Sequence, residues 1–343
     1  MTASLADEMH LGFFEHGGRL DLAKKLYPQA PEPWMDLSTG ISPWSYPAPE
    51  VAAYNLRGLP DAGALQSLIG IAKRTYRVPK GAEVVALPGT EIGLSVIPWL
   101  FREPKRVAVL GPAYGSHAKA WMAAGHSVSQ VSSLNEASGA AILIVVNPNN
   151  PDGRFLPHSD LAAVLPPLRR RNGLLIVDEA FADTDESYSL LPVVARLDHT
   201  LVLRSIGKFF GAGGIRLGFA ITSHPIAERL RVALGSWPVS SQALAFGTEA
   251  LADEDWATMQ RQRLKEAANE MDHVLNEAGF TIAGGTSLFR LAAHLRSWEF
   301  FLHLAKNGVL ARPFQGRNAL RFGLPGSAEQ FSRLRYALKE PMF

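Results

Sequence analysis

Short apolar runs rich in β-branched residues recur along the chain, and they restrict its fold more than any other feature. They are VVALPG from residue 84, VAVLGP from 107, HSVSQV from 126, ILIVVNP from 142, LLIVDEAF from 174 and TLVLRSI from 200. Segments that favour helix, such as GSHAKAWMAAG and SDLAAVLPPLRRRN, separate most neighbouring runs. Apolar strands that alternate with helices predict an α/β fold with a mainly parallel sheet covered on both faces.

Three segments of different character follow one another along the 343 residues. Residues 1–45 contain four prolines and several aromatic side chains, and they predict an irregular N-terminal arm. Residues 46–238 hold the apolar runs and predict a large α/β domain. From 239 to 343, a long helical segment precedes the strand candidates SLFRLAA, GVLARPF and ALRFGLP. This last pattern predicts a small α+β domain.

Charge and composition argue against several classes of protein. The formal net charge is +2 without a long basic block, which gives little support to binding of nucleic acid or of a membrane surface. Cysteine is absent, so disulfides and thiolate metal sites are excluded, and we expect no metal. The first residues lack the apolar core of a signal peptide, and the longest apolar run is too short to cross a bilayer. We therefore expect a cytoplasmic protein.

Polar residues collect at the carboxyl ends of the predicted strands, where open α/β sheets bind ligands. In chain order they are Gly89, Thr90, Glu91, Tyr114, Asn149, Asn150, Asp178, Glu179, Ser205 and Lys208. Each has a plain alternative, because Asn-Pro and Pro-Asp-Gly are common turn formers and Gly-Thr-Glu can cap a helix. Independent turn residues are not expected, however, to place a lysine, an aspartate, an asparagine and an aromatic ring on one rim.

The residues around Lys208 exclude two nucleotide-binding motifs. A P-loop requires G-x-x-x-x-G-K-[ST], but Phe209 follows the lysine and Val202 stands where the first glycine belongs. The sequence GAGGIR begins like a dinucleotide fingerprint, but Arg216 occupies the position of its last glycine. The polar rim therefore indicates a different ligand.

The motifs N-P-N-N-P-D-G, D-E-A-F and S-x-x-K, with an arginine eight residues after the lysine, resemble the fold-type I pyridoxal-phosphate enzymes. Within them, the chain is most similar to the histidinol-phosphate aminotransferase group. The resemblance covers nearly the whole chain and implies a seven-stranded, mainly parallel sheet between helices, with a smaller α+β domain. It also implies pyridoxal 5'-phosphate as cofactor and a homodimer with active sites near the interface. The fold alone does not decide between decarboxylase and aminotransferase, because it supports both.

The resemblance assigns roles to the polar rim. Lys208 would form a Schiff base with the cofactor aldehyde, and Asp178 would keep the ring nitrogen protonated. Tyr114 would stack on the ring, which makes these three the candidate catalytic residues, and Asn150 would hydrogen-bond the 3'-oxygen. The phosphate would be bound by backbone N–H groups, a hydroxyl and a cation, which come from Gly89, Thr90, Ser205 and Arg216.

The N-terminal arm narrows the group further. Its HGG at 16–18 and DLSTGISP at 36–43 resemble the start of the threonine-phosphate decarboxylases of cobalamin biosynthesis. This resemblance implies decarboxylation of L-threonine O-3-phosphate to 1-aminopropan-2-yl phosphate and CO2. The alternative is an aminotransferase that acts on histidinol phosphate or a related amine or amino acid. A cofactor-binding regulator is disfavoured, because neither a DNA-binding motif nor a basic face is apparent.

Two arginines near the C-terminus complete the expected site. By resemblance, Arg321 would bind the substrate α-carboxylate, and Arg312 with His16 would bind the substrate phosphate, since arginine suits both groups. Arg317 lies between the two along the chain and is a further candidate. The full set of candidate substrate-binding residues is His16, Gly17, Gly40, Asn150, Arg312 and Arg321.

Three positions depart from the pattern of the group. Phe181 stands where many of its aminotransferases have tyrosine, so one hydrogen bond to the 3'-oxygen should be missing. Leu59 replaces a tyrosine that reaches the phosphate in the partner subunit of relatives, and Gly40 replaces a frequent asparagine. The first two departures fit a decarboxylase at least as well as an aminotransferase.

Overall fold

The structure is a computed structural model, and it describes residues 11–49, 57–314 and 316–339. Contacts within the chain define two compact units. The large unit comprises Ser45–Asn150 and Arg154–Thr258, and the small unit comprises Met1–Trp44, Pro151–Gly153 and Met259–Phe343. The domain division into 1–45, 46–238 and 239–343 stays a prediction, because contacts within one chain do not show which segments fold independently.

The strands of the described residues are numbered in chain order. They are β1 (Met35–Asp36), β2 (Ala82–Leu87), β3 (Arg106–Leu110), β4 (Ser127–Val131), β5 (Ile142–Val146), β6 (Leu174–Asp178), β7 (Thr200–Ser205), β8 (Gly218–Ser223), β9 (Thr281–Thr286), β10 (Phe289–Ala293), β11 (Val309–Leu310), β12 (Arg312–Pro313) and β13 (Ala319–Phe322).

The α-helices are numbered in the same way. They are α1 (Leu20–Leu26), α2 (Ala62–Thr75), α3 (Thr90–Val96), α4 (Gly115–Ala123), α5 (His158–Ala163), α6 (Leu165–Arg170), α7 (His224–Leu234), α8 (Ser241–Ala252), α9 (Glu254–Glu277), α10 (Ser297–Lys306) and α11 (Ala328–Ala337). Among the described residues, none of the helices is both long and apolar enough to cross a membrane.

A seven-stranded sheet in the order β2-β8-β7-β6-β5-β3-β4 forms the centre of the large unit. Its strands pair in parallel except at β8, which is antiparallel to both of its neighbours. Every residue of the central strands β5, β6 and β7 is buried, as expected for parallel strands covered on both faces. The expected seven-stranded, mainly parallel α/β sheet is therefore confirmed.

Helices on the sheet bury large apolar side chains against it. Leu94 of α3, Trp121 of α4 and Leu230 of α7 belong to one core cluster with Ile144 of β5 and Ile176 of β6. Burial of each such side chain stabilises the fold by about 1.5–3 kcal/mol. The strand ends that carry the polar rim are thereby fixed on a well-packed support.

The small unit contains a four-stranded antiparallel sheet in the order β12-β13-β10-β9. A separate parallel pair joins β1 of the N-terminal segment to β11. Phe280, Phe300 and Phe322 pack edge to face, with ring centroids 4.9 and 5.7 Å apart around Phe280. A smaller α+β region is confirmed, and it includes residues from the start of the chain.

Candidate active site

Lys208 lies in the turn after β7 of the large unit, where its side chain is half-buried. Its Nζ is 5.8 Å from the centroid of the Phe181 ring, which follows β6 and is itself buried. The amine therefore lies at the carboxyl ends of the two central strands, the edge at which such a sheet binds ligands.

Asp178 is the last residue of β6, and it is 4% exposed. Its Oδ2 is 2.9 Å from Nε2 of His117, and its Oδ1 accepts a hydrogen bond of 3.1 Å from the Ala180 amide. His117 is buried on α4 and was not among the expected site residues. In the sequence, this histidine stands three residues after Tyr114, and that position alone does not distinguish a site residue from a core residue.

Tyr114 directly precedes α4, next to the loop expected to contact the cofactor. Its hydroxyl donates a hydrogen bond of 3.0 Å to Oε2 of Glu91 in α3. The Tyr114 ring lies edge-on to the His117 ring, with centroids 6.4 Å apart. One face of the large unit thus brings together the expected aromatic ring and, through His117, the expected carboxylate.

Gly89, Thr90, Ser205 and Arg216 approach one another because β8 lies between β2 and β7. Gly218 of β8 is opposite Leu87 on one side and Ser205 on the other. A Cβ at Gly89, whose φ is +84°, would be 2.5 Å from Nη2 of Arg216. The guanidinium therefore rests against the Gly89 backbone, and the positive φ favours glycine there.

The N-P-N-N-P-D-G segment follows β5, and its first two asparagines hold the loop in shape. Asn147 Nδ2 donates to the Leu156 carbonyl, while Asn147 Oδ1 accepts from the Leu156 amide. Asn149 Nδ2 donates a hydrogen bond of 2.7 Å to the Pro112 carbonyl in the loop before Tyr114. Asn150, in the middle of this segment, is half-buried.

In the small unit, Arg312 and Arg321 lie directly opposite each other on β12 and β13. They are 9% and 4% exposed, respectively. Nη2 of Arg312 donates to the Glu15 carbonyl at 2.8 Å, and Nη2 of Arg321 donates to the Ser38 carbonyl at 2.8 Å. The two arginines thus contact both arm segments that the sequence singled out.

The HGG segment is held against Ser38 by a close backbone approach. A Cβ at Gly17 would lie 2.2 Å from the Ser38 carbonyl oxygen, so only glycine fits. The Gly18 amide donates a hydrogen bond of 2.7 Å to Ser38 Oγ, and this hydroxyl donates in turn to Asp36. His16 is half-buried beside this contact, and Ser38 was not expected to organise it.

Gly40 and Arg317 complete the set of expected substrate residues. Gly40 follows Ser38 closely in the chain and is buried. Arg317 is exposed in the turn between β12 and β13. The roles given to all these residues stay predictions.

The groups of the large unit fit pyridoxal phosphate chemically. Lys208 supplies an amine for an aldehyde, Asp178 a buried carboxylate for a ring nitrogen, and Tyr114 an aromatic face. The close approach of Gly89 to Arg216 leaves backbone N–H groups and a guanidinium side by side, a combination suited to phosphate.

Comparison with known proteins identifies the family. The model of the family "Aminotransferase class I and II" matches residues 62–338. A threonine-phosphate decarboxylase from Pseudomonas aeruginosa is 38% identical over 95% of this chain and 98% of its own length. Another from Sinorhizobium sp. is 35% identical over 94% of this chain and 97% of its own length.

Among solved structures, a histidinol-phosphate aminotransferase from Clostridium acetobutylicum superposes with a TM-score of 0.80. It is 21% identical, with 89% of this chain and 98% of that chain covered, and so it supports the fold alone. The chain belongs to the aminotransferase class I and II family, and it is a pyridoxal-phosphate-dependent enzyme.

Proposed function

We propose that the protein decarboxylates L-threonine O-3-phosphate to 1-aminopropan-2-yl phosphate and CO2, a reaction of cobalamin side-chain biosynthesis. The near-full-length similarity to two threonine-phosphate decarboxylases carries this proposal. The reaction breaks the bond between Cα and the carboxylate, and a proton takes the place of the departing CO2 on Cα. Bound pyridoxal phosphate supplies the electron sink for this step.

The large unit holds the cofactor in this proposal. Lys208 would hold it through its Nζ, the amine that the cofactor aldehyde requires. The Asp178 carboxylate holds a proton at the ring nitrogen, and the hydrogen bond from His117 fixes the orientation of that carboxylate. Tyr114 covers the ring, and its bond to Glu91 limits rotation of the phenol. These residues orient the cofactor, whatever substrate it acts on.

The small unit recognises the two anionic ends of the substrate. Arg321 binds the α-carboxylate, and Arg312 with His16 binds the phosphate. Both guanidinium groups are buried and already hydrogen-bonded to backbone carbonyls, so their orientation is set before substrate arrives. Holding the carboxylate and phosphate fixes which bond at Cα is presented to the cofactor ring.

The test is to supply the purified holoenzyme with L-threonine O-3-phosphate and no 2-oxo acid. We expect release of CO2 and equimolar 1-aminopropan-2-yl phosphate, measured by mass spectrometry, and neither product from the Lys208→Ala variant. Histidinol phosphate with 2-oxoglutarate should give little glutamate, because histidinol phosphate has no carboxylate for Arg321. Glutamate formation without CO2 from threonine phosphate would instead assign the protein to the aminotransferases.

Arg312→Ala tests the recognition of phosphate. A charge-assisted hydrogen bond contributes about 1.5–3 kcal/mol, so kcat/KM for threonine phosphate should fall about ten- to a hundredfold. Arg335→Ala is the matched control, since it removes an arginine of α11 in the same unit that pairs with Glu270. Equal losses in the two variants would argue against a role of Arg312 in phosphate binding.

The proposal includes a cytoplasmic homodimer with active sites near the subunit interface. It rests on the resemblance to the pyridoxal-phosphate enzymes, and the oligomeric state is directly measurable in solution.

A further inference from the structure

A cluster of buried charged side chains in the large unit has no role in the mechanism above. Arg204, Glu179 and Asp183 are only 4%, 0% and 7% exposed. Nη1 of Arg204 donates to Oε2 of Glu179 at 2.9 Å, and Nη2 of Arg204 donates to Oδ1 of Asp183. The Glu179 carboxylate also accepts from Ser189 Oγ at 2.8 Å and from the Leu190 amide at 2.6 Å. The guanidinium is thus held between two carboxylates.

The cluster joins the two strands that carry the cofactor groups. Glu179 directly follows Asp178, the last residue of β6. Arg204 directly precedes Ser205, the last residue of β7, and lies four positions before Lys208. Since β6 and β7 are neighbours in the sheet, the Arg204–Glu179 ion pair ties their carboxyl ends together.

The cluster does not itself face the site of Asp178. Successive side chains along a strand point to opposite faces of a sheet. Asp178 contacts His117 of α4, whereas its neighbour Glu179 contacts Arg204, Ser189 and Leu190. A change at Arg204 that keeps its positive charge can therefore reach the cofactor groups through the backbone of the two strands.

Joining two strands through buried charged side chains is energetically unfavourable compared with apolar packing. Apolar side chains of similar volume often stabilise a fold as much as a buried ion pair, because the charges must be desolvated. A guanidinium provides what apolar packing lacks, namely a planar fork with fixed directions to two acceptors. Here the Tyr76 ring also lies against the fork, with Arg204 Cζ 4.4 Å from its centroid. The arrangement favours one defined separation of the strand ends.

We propose that Arg204 is a positioning residue of this enzyme. By binding Glu179 and Asp183 it fixes the separation of the ends of β6 and β7, and hence that of the Asp178 carboxylate and the Lys208 amine. These two groups would hold the aldehyde carbon and the ring nitrogen of one rigid cofactor, so a change in their separation would misplace it. The inference rests on the cofactor of the family and is independent of the substrate proposed above.

The test uses Arg204→Lys, which keeps the positive charge but loses the planar fork. The purified holoenzyme is titrated with pH, without substrate, and the absorbance of the bound cofactor is recorded. We expect the variant to bind the cofactor but to shift the midpoint of this titration by about 0.5 pH unit or more, because lysine cannot replace a bidentate arginine. Release of the cofactor into buffer, followed by fluorescence, should also be faster than in the wild type.

Arg290→Lys is the matched control, because Arg290 binds both carboxylate oxygens of Asp272 in the small unit. It should lower the unfolding temperature and leave the midpoint unchanged. Ser189→Ala serves if Arg204→Lys does not fold, since it removes the hydroxyl that donates to Glu179 and accepts from the Leu191 amide, and a smaller shift of the midpoint is expected. A midpoint equal to that of the wild type in Arg204→Lys would overturn the proposal. If only Ser189→Ala folds, a wild-type midpoint in that variant would overturn it instead. An equal shift in Arg290→Lys would overturn it as well.

Discussion

The contact between His117 and Asp178 shows how single residues prepare this site. A buried carboxylate is costly unless it is hydrogen-bonded, and here each oxygen has a partner, His117 Nε2 for one and the Ala180 amide for the other. The sequence predicted Asp178 as a site residue because it ends an apolar strand, and polar residues at such ends mark ligand sites. His117 could not be predicted in the same way, because a buried helix histidine carries no sign of what it contacts.

Asp178→Asn should separate cofactor binding from turnover. The amide keeps the size of the side chain, but it cannot hold a proton at the ring nitrogen as a carboxylate does. We expect most of the cofactor absorbance to remain, while kcat falls by about 10²-fold or more. Cofactor content and steady-state turnover of the same preparation provide the measurement. Near-normal turnover would contradict the role given to Asp178.

Tyr76 makes stability depend on pH in the alkaline range. Burial, and secondarily the nearby Asp183 carboxylate, raise the pKa of the Tyr76 phenol well above its usual value. The unfolded phenol ionises near pH 10 while the folded one keeps its proton, so the folded state binds more protons. This contribution to stability is therefore present below about pH 10 and is lost as the pH rises above it.

The measurement is the free energy of urea unfolding between pH 9 and 11 (a range around the phenol pKa of about 10). Tyr76→Phe should show a shallower decline than the wild type, because it has no phenol to ionise. Tyr336→Phe is the control, since this side chain is 68% exposed on α11. Equal slopes in Tyr76→Phe and wild type would contradict the prediction.

At the scale of elements, the proposed phosphate-binding region depends on the close approach of the turn at Gly89 to the turn at Arg216. A methyl group at Gly89 would meet the Arg216 guanidinium at 2.5 Å, and the φ of +84° is strained for alanine. Gly89→Ala should therefore weaken cofactor binding by about tenfold or more, a loss of about 1.4 kcal/mol. Equilibrium binding of pyridoxal phosphate to the apo-protein measures this change.

Gly115→Ala is the matched control for this prediction. Gly115 begins α4, and a Cβ there would have no atom within 4 Å. Alanine is favoured over glycine in helices, so cofactor affinity should be unchanged and stability unchanged or slightly higher. A similar loss of affinity in both variants would show that crowding at Gly89 is not the cause.

Sequence patterns predicted the strands of the apolar runs well, and those next to or containing glycines less well. The six runs correspond to β2–β7. The fully buried β5 and β6 are nearly continuous in Val, Ile and Leu, as expected of parallel strands covered on both faces. β8 was not predicted, since it follows the glycine-rich loop and its place between β2 and β7 has no local signal. β9 was also missed, because Gly284 and Gly285 lower its strand propensity.

At the scale of the whole molecule, the order of segments along the chain does not reveal the contacts of the N-terminal arm. The arm looked irregular from its prolines, yet its residues 35–36 pair with β11 and its Ser38 accepts a hydrogen bond from Arg321. Pairing between residues as far apart in the chain as Met35 and Val309 cannot be read from local patterns. The resemblance to relatives singled out His16 and Gly17, whereas the contacts that hold them through Ser38 and Asp36 emerge only from the fold.

Exposed apolar side chains of the large unit favour assembly into a dimer. Leu59, which is 66% exposed, has a hydrocarbon side chain and cannot donate the hydrogen bond to a partner's phosphate that the resemblance assigns to a tyrosine at this position. Ile92 and Trp237 of the same unit are also exposed, at 43% and 56%, and burying such side chains favours association. We therefore expect a homodimer held by apolar contacts, so dimerisation should persist in high salt. Sedimentation at micromolar concentration with and without salt measures this, and a monomer in both conditions would contradict it.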